Sequence, residues 1–149
     1  MEVNVKDRFS LAATVAASGF LADAVDLIQA GSPNSENQLD PIGVIIALGT
    51  VKQSVGNETY KVECINDVDS SGTNTPATVG STGTITANDK RLNVPFIFVP
   101  IAWNLVLLEY LTVYVTLGGT SPSFGISGAW LGKQSDVPAA VLVAANYTI

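Results

Sequence analysis

The sequence predicts an all-β fold, a jelly roll or β-sandwich of about eight antiparallel strands behind an extended N-terminal arm. Three observations carry this. Short apolar or alternating runs recur along the chain with Gly, Pro, Asn and Ser between them. The run after Glu109 alternates cleanly, with Leu111, Val113, Val115 and Leu117 on one face and Tyr110, Thr112, Tyr114 and Thr116 on the other. No stretch keeps an apolar stripe at helical spacing.

Residues 1–30 are Ala-rich, and Ser10 could cap a helix there. Thr14, Val15, Ser18 and Gly19 interrupt the run, so it is expected as an extended arm making one or two strands. Residues 31–41 are loop chemistry throughout. Ile42–Leu48, bounded by Pro41 and Gly49, suits a fully buried strand, and Gly56-Asn57 suits a turn. Thr59–Ile65 alternates, with Tyr60, Val62 and Cys64 on one side. Residues 66–83 form an exposed Ser/Thr/Gly-rich loop, with a short edge strand at Ala77–Val79, and Thr84–Ala87 forms another. Val94–Leu131 is the longest charge-poor stretch, holding Glu109 alone, and reads as a long antiparallel hairpin turning at Gly118–Ser123. On its return run Phe124, Ile126 and Trp130 share a face. Lys133–Asp136 is a turn, and Val137–Ala145 is a closing strand. The whole chain, 1–149, is expected as a single domain.

Val94–Leu131 is long enough to raise a membrane span. Pro95, Pro100, Asn104 and Glu109 interrupt it, and the alternation after Tyr110 serves no lipid-facing helix.

Composition narrows function by exclusion. Charged residues are 13% of the chain against about a quarter in an average domain, while apolar residues reach 47%. Charge keeps a lone domain wetted and unassociated, so its scarcity points to a surface covered by copies of the chain or by another protein. The net charge of −6 and the lack of a basic run argue against nucleic acid. There is no His, which removes the commonest general base and metal ligand together. The lone Cys64 fits a reducing compartment, and the start lacks the apolar core of a secretion signal.

Asp67-Val68-Asp69-Ser70-Ser71-Gly72 imitates the first half of a calcium loop, but Thr78 stands where the closing Glu belongs. An acidic turn between strands is the preferred reading. Glu58, Glu63, Asp67, Asp69 and Glu109 offer no preferred pair for glycoside hydrolysis. Glu109 is expected to meet a cation or an intersubunit donor, since an unpaired buried carboxylate is costly. A Ser nucleophile would need Lys as its base, and no Ser-x-x-Lys is present. Gly118-Gly119 lacks the Lys of a phosphate loop. No enzyme, metal or cofactor is expected.

One family matches the assembled pattern. Asp7-x-Phe9-Ser10 opens an Ala/Thr/Ser-rich arm ending in Val25-Asp26-Leu27, and apolar and Ser/Gly/Thr-rich strands follow. Then come Asn104-Leu105-x-Leu107-Leu108-Glu109-Tyr110-Leu111-x-Val113, the turn GGTSPS, and a strand finishing Ala129-Trp130-Leu131. This resembles the capsid cement (decoration) proteins of tailed bacteriophages. The resemblance implies a subunit made in the bacterial host cytoplasm that sits on the outer surface of the virion capsid. It implies dimers or trimers, with the major capsid protein as partner and neighbouring capsomers stapled together. The interface expected is the arm with its Phe9 and Phe20, loops at one end of the sandwich, and the face carrying Glu109, Tyr110 and Tyr114, with Trp130 as a further candidate. Two other readings stand beside it. One is a carbohydrate-binding jelly roll of a phage tail or adhesin, with Trp103, Trp130, Tyr110 and Tyr114 as sugar platforms. The other is a head–tail joining or tail structural protein.

Overall fold

The long alternating and apolar runs become the strands of two packed sheets. The computed structural model describes residues 7–27 and 41–138. The expected ends of the arm, the loop over 31–40 and most of the expected closing strand lie outside the described residues. Along the chain come β1 (Arg8–Ser10), β2 (Ala13–Val15), β3 (Gly19–Phe20), β4 (Val25–Asp26), β5 (Ile42–Val51) and β6 (Thr59–Asp67). They are followed by β7 (Ala77–Ser81), β8 (Ile85–Thr86), β9 (Phe96–Pro100), β10 (Tyr110–Gly118) and β11 (Phe124–Lys133).

These segments fill four positions in each sheet. The first sheet runs β1-β11-β5-β9, with β2 continuing β1 along the same edge of β11. The second runs β3-β10-β6-β7, with β4 continuing β3 along β10 and β8 continuing β7 along β6. All the pairs are antiparallel. The chain crosses between the sheets at nearly every connection, which is the wrap of a jelly roll. The predicted fold class is therefore the observed one, and about eight strands are there once the broken edge strands are joined.

The core lies between the sheets. From β10 it takes Leu111, Val113 and Val115, and from β6 Tyr60, Val62 and Cys64, all at 0% exposure. β5 adds Val44 and Ile46, and β9 adds Ile97 and Val99. Each such side chain contributes roughly 1.5–3 kcal/mol by leaving water. Burial with no partner in reach pushes the Cys64 thiol up to about 12, so it stays a protonated apolar filler.

Three expectations change. Val94–Leu131 is not a hairpin. β10 pairs with β6, β3 and β4, whereas β11 pairs with β5, β1 and β2 in the other sheet. Gly118–Ser123 is thus an arch between sheets, and alternation with a turn signal cannot tell an arch from a hairpin. Trp130 does not share a face with Phe124 and Ile126. Irregularities in the β11–β5 ladder between Phe124 and Gly128 reverse the alternation. Ala129 and Leu131 then point into the core, and Trp130 packs on the outer face with Ile45, Phe98 and Val137.

The arm, finally, is not a free tether over its described part. β1 and β2 close one sheet, and β3 and β4 close the other. Phe9 and Val25 are fully buried between them. Backbone bonds from Leu21 N to Val113 O (2.9 Å) and from Asp23 N to Phe9 O (2.9 Å) fix the crossing. Residues 8–26 lace the two sheets together.

This placement changes what deleting the arm would do. Removing residues 1–20 is expected to abolish cooperative thermal unfolding followed by far-ultraviolet circular dichroism. Phe9→Ala alone should cost about 3–5 kcal/mol in denaturant titration. A truncated chain that still melts in one sharp transition would refute the lacing.

Candidate interaction surface

Polar residues at the ends of β6 position the loops around the candidate surface. Asn66 is 1% exposed and continues the inner stripe of Tyr60, Val62 and Cys64. Its amide donates to Leu108 O (3.0 Å) and Tyr110 O (2.8 Å), and its Oδ1 accepts from Leu107 N (3.0 Å) and Leu108 N (2.9 Å). Every hydrogen-bonding site of the amide is used, and the segment leading into Glu109 and Tyr110 is fixed by them.

Asp67, also buried, holds the next loop. Its oxygens accept from the backbone N–H of Val68 (2.6 Å), Asn74 (2.9 Å) and Thr75 (3.1 Å) and from the Thr75 hydroxyl (3.2 Å). Burial pushes the Asp67 carboxyl up, but the N–H groups of Thr75, Asp69, Val68 and Asn74 together outweigh it and hold it below the usual carboxylate range. Asp69 turns inward to the Ser71 backbone N–H (2.9 Å) and hydroxyl (2.5 Å). Oxygens that a calcium loop would aim at one ion are therefore spent on the loop's own donors. Among the described residues no group of three or more acidic, Cys or His side chains could hold a metal. The loop returns over the second sheet, where Gly72, with φ +70°, sits so close to Phe20 and Thr112 that a Cβ would clash with both.

At the opposite end, Glu58 accepts from Val55 N (3.0 Å) and Gly56 N (2.8 Å). Burial raises its carboxyl, yet the backbone donors of Val55, Glu58 and Gly56 and the Lys52 charge bring it below the usual range. The Tyr60 hydroxyl donates to Lys52 O (2.6 Å) and accepts from Ser123 N (3.3 Å). The β5–β6 and β10–β11 arches are locked to each other there.

The candidate residues separate into three environments. Phe20, Tyr110, Tyr114 and Glu109 come together on or beside the outer face of the second sheet. Phe20 and Glu63 flank Tyr114 in register, and the Phe20 and Tyr114 rings meet edge to face at 4.8 Å. Lys61 and Glu63 form an ion pair at 2.9 Å on the same face. Tyr110 lies opposite Asp26 on β4, and the charges of Glu109, then burial, Asp26 and Asp69 push its hydroxyl above the usual phenol range. Glu109 is half-buried and interacts with the Tyr110 hydroxyl, not with the cation expected for it. Phe9 is core and presents no ring to a partner. Trp130 lies on the other sheet, edge-on to Phe96 at 6.4 Å.

The four rings proposed as sugar platforms do not form one. Tyr110 and Tyr114 share a face, Trp130 is on the opposite sheet, and Trp103 packs on the core while donating to Ile42 O (2.8 Å). Leu105 and Leu107, at 52% and 82% exposure, project from the segment before Glu109. A shallow cleft of about 430 Å³ is lined by Ala13, Thr14, Thr50, Lys52 and Gly125, and the Lys52 ammonium is already bonded to the carbonyls of Thr120 and Ser121.

Sequence reasoning missed Asn66, Asp67 as a loop anchor, Glu58 and the Tyr60 hydroxyl. Parity could have found two of them. Residues 58, 60, 62, 64 and 66 fall on one face, so extending the Tyr60 stripe by one step each way puts Glu58 and Asn66 inside.

The comparisons add no family. Searched against protein-family models and curated protein sequences, the chain matches none. Among the described residues no helix is long and apolar enough to cross a membrane.

Two outcomes test these anchors. Asn66→Ala strands backbone groups of Leu107, Leu108 and Tyr110, and should cost roughly 3 kcal/mol in urea titration. Asp67 and Glu58 have native pKa values below their unfolded ones, so their contribution is complete above the ordinary carboxylate range and is lost as pH falls through the lower native values. The melting temperature should therefore drop on acidification below about pH 4, and less steeply in Asp67→Asn. Identical acid profiles for the two proteins would refute the anchor.

Proposed function

We propose that the chain is a structural virion protein that binds the outside of a bacteriophage capsid and staples major capsid protein subunits together, with no enzymatic activity. The observation that carries the reading is the outer face of the second sheet. It shows Phe20, Tyr110 and Tyr114 among threonines, on a chain with half the usual charge. A surface of that kind suits repeated protein contacts better than life as a solitary domain.

Physical chemistry supports the reading at two further points. The buried polar side chains are spent on backbone groups, which fits a rigid scaffold. The jelly roll presents rigid loops at both ends, and the fold serves capsid and lectin domains alike. On a shell, each subunit meets several neighbours at once, so contacts that are weak singly add through effective concentration. The apolar Leu105–Leu107 segment is the part of the loop set assigned to the shell.

The test is decoration. Purified chain mixed with heads of its own phage lacking this protein should co-sediment to saturation, and electron microscopy should place it regularly over the head surface. Leu107→Ser should weaken occupancy at least several-fold while leaving the melting temperature within about 1–2 °C, as expected for an exposed position. Density confined to the tail or the neck would replace this reading with a tail or joining role.

A further inference from the structure

We infer that the outer face of the second sheet is a self-association face that takes a second copy of this chain across a twofold axis. The inference deepens the capsid reading by assigning its self-contact, but it rests on the geometry of that face.

The face has an aromatic centre and a charge pattern that complements itself. Phe20, 37% exposed, and Tyr114 form the centre, and Glu63 completes their row across three strands. One step along β6, Lys61 sits opposite Thr116. Cation and anion thus lie two residues apart on one strand, both partly exposed, at 36% and 19%. A twofold lying between two stacked copies and running across the strands reverses the partner's β6. Lys61 then meets the partner's Glu63, and Glu63 meets the partner's Lys61. An isologous contact requires such a self-complementary patch.

The acidic corner is compatible with that axis. Tyr110, with Glu109, Asp26 and Asp69 around it, lies a full turn of the ladder beyond Tyr114, so the twofold sends the two corners to opposite ends of the contact. Any partner stacked with parallel β6 strands would instead bring like charges together, which costs affinity.

Size decides the strength. The loop carrying Gly72 covers the Thr112 row, leaving the face open from Val113 to Gly118. At ~3.3 Å per residue and ~4.8 Å per strand that is on the order of 400 Å² per copy. Twice this falls below the roughly 1,200 Å² of a standard stable interface. The dimer is therefore weak in solution, with a dissociation constant on the order of 100 µM. It becomes effective where a lattice holds copies side by side.

Sedimentation velocity on the full chain from about 10 µM to 1 mM, a range set by that affinity, tests the assignment. The expected result is a mass rising from monomer to dimer, lost in Tyr114→Arg and weakened at least fivefold in Lys61→Glu and in Glu63→Lys. The double variant Lys61→Glu with Glu63→Lys should restore dimerisation, which a folding defect could not do; circular dichroism checks each variant. Leu107→Ser, outside the face, should dimerise as the parent does. A monomer at every concentration, a dimer that survives Tyr114→Arg, or a double variant without rescue overturns the face. A dimer that behaves as described yet leaves phage heads bare would overturn the capsid reading and leave the face standing. A monomer that decorates heads would do the reverse.

Discussion

The molecule depends on one stripe of side chains along the inner face of β6. Its middle, Tyr60, Val62 and Cys64, is fully buried against the other sheet. Its ends are polar and equally buried, at Glu58 and Asn66. An apolar residue at either end would bury as much surface but leave several backbone groups without partners. Because the ends are polar, the stripe fixes the core and also fixes where the chain enters and leaves it. Glu58 shapes the β5–β6 arch, and Asn66 holds the strand entry before β10. Core packing and loop positions are therefore set by the same strand.

The arches and the arm then decide topology. Two arches cross between sheets at the same end, bound by the Tyr60 hydroxyl and by the reciprocal pair of Asn57 with Thr120, at 2.9 and 3.1 Å. Gly119, with φ +90°, lets the second arch pass so close to the Asn57 carbonyl that a Cβ would collide with it. The arm crosses in the same sense, entering along β11 and leaving along β10. Its contacts are far apart in sequence, so they form late and reward the fold only after both sheets exist. Edge strands are otherwise open to unwanted pairing, and the arm covers one edge of each sheet.

Much of this was legible in the residues. Alternation located β6 and β10 nearly to their ends, and the apolar run bounded by Pro41 and Gly49 located β5. The strand preference of the arm was visible in its Thr, Val and Gly interruptions. What alternation could not give was the partner of each strand. A turn such as Gly118–Ser123 looks the same whether the chain folds back in one sheet or arches to the next. Nor could it locate the ladder irregularity after Phe124, which turned Trp130 outward while Phe124 stayed inside. Of the candidate surface, Tyr110, Tyr114 and Phe20 were correctly placed away from the core, and Phe9 was not. The Asp67 cluster was legible as a turn, but its oxygens were assigned to loop donors by the three-dimensional path of residues 68–75, which no spacing rule contains.

The fold sharpens the argument from charge. The composition already has half the expected charged fraction, and many of those charges face inward or face each other. Asp67, Asp69 and Glu58 are bonded to backbone N–H groups, and Lys52 to two carbonyls. Arg91 is paired with Asp89 at 3.2 Å and Lys61 with Glu63 at 2.9 Å. A charge satisfied within the molecule does less to repel a neighbouring copy than a free one, because its field is offset at short range and screened beyond about a nanometre. The surface thus offers less long-range repulsion than the net charge of −6 suggests. Aromatic rings and threonines on a sheet face supply contact area at little entropic cost. Weak repulsion and a ready contact face act in the same direction, toward assembly. The side chains that hold this subunit rigid are thus the ones that leave its surface free to associate.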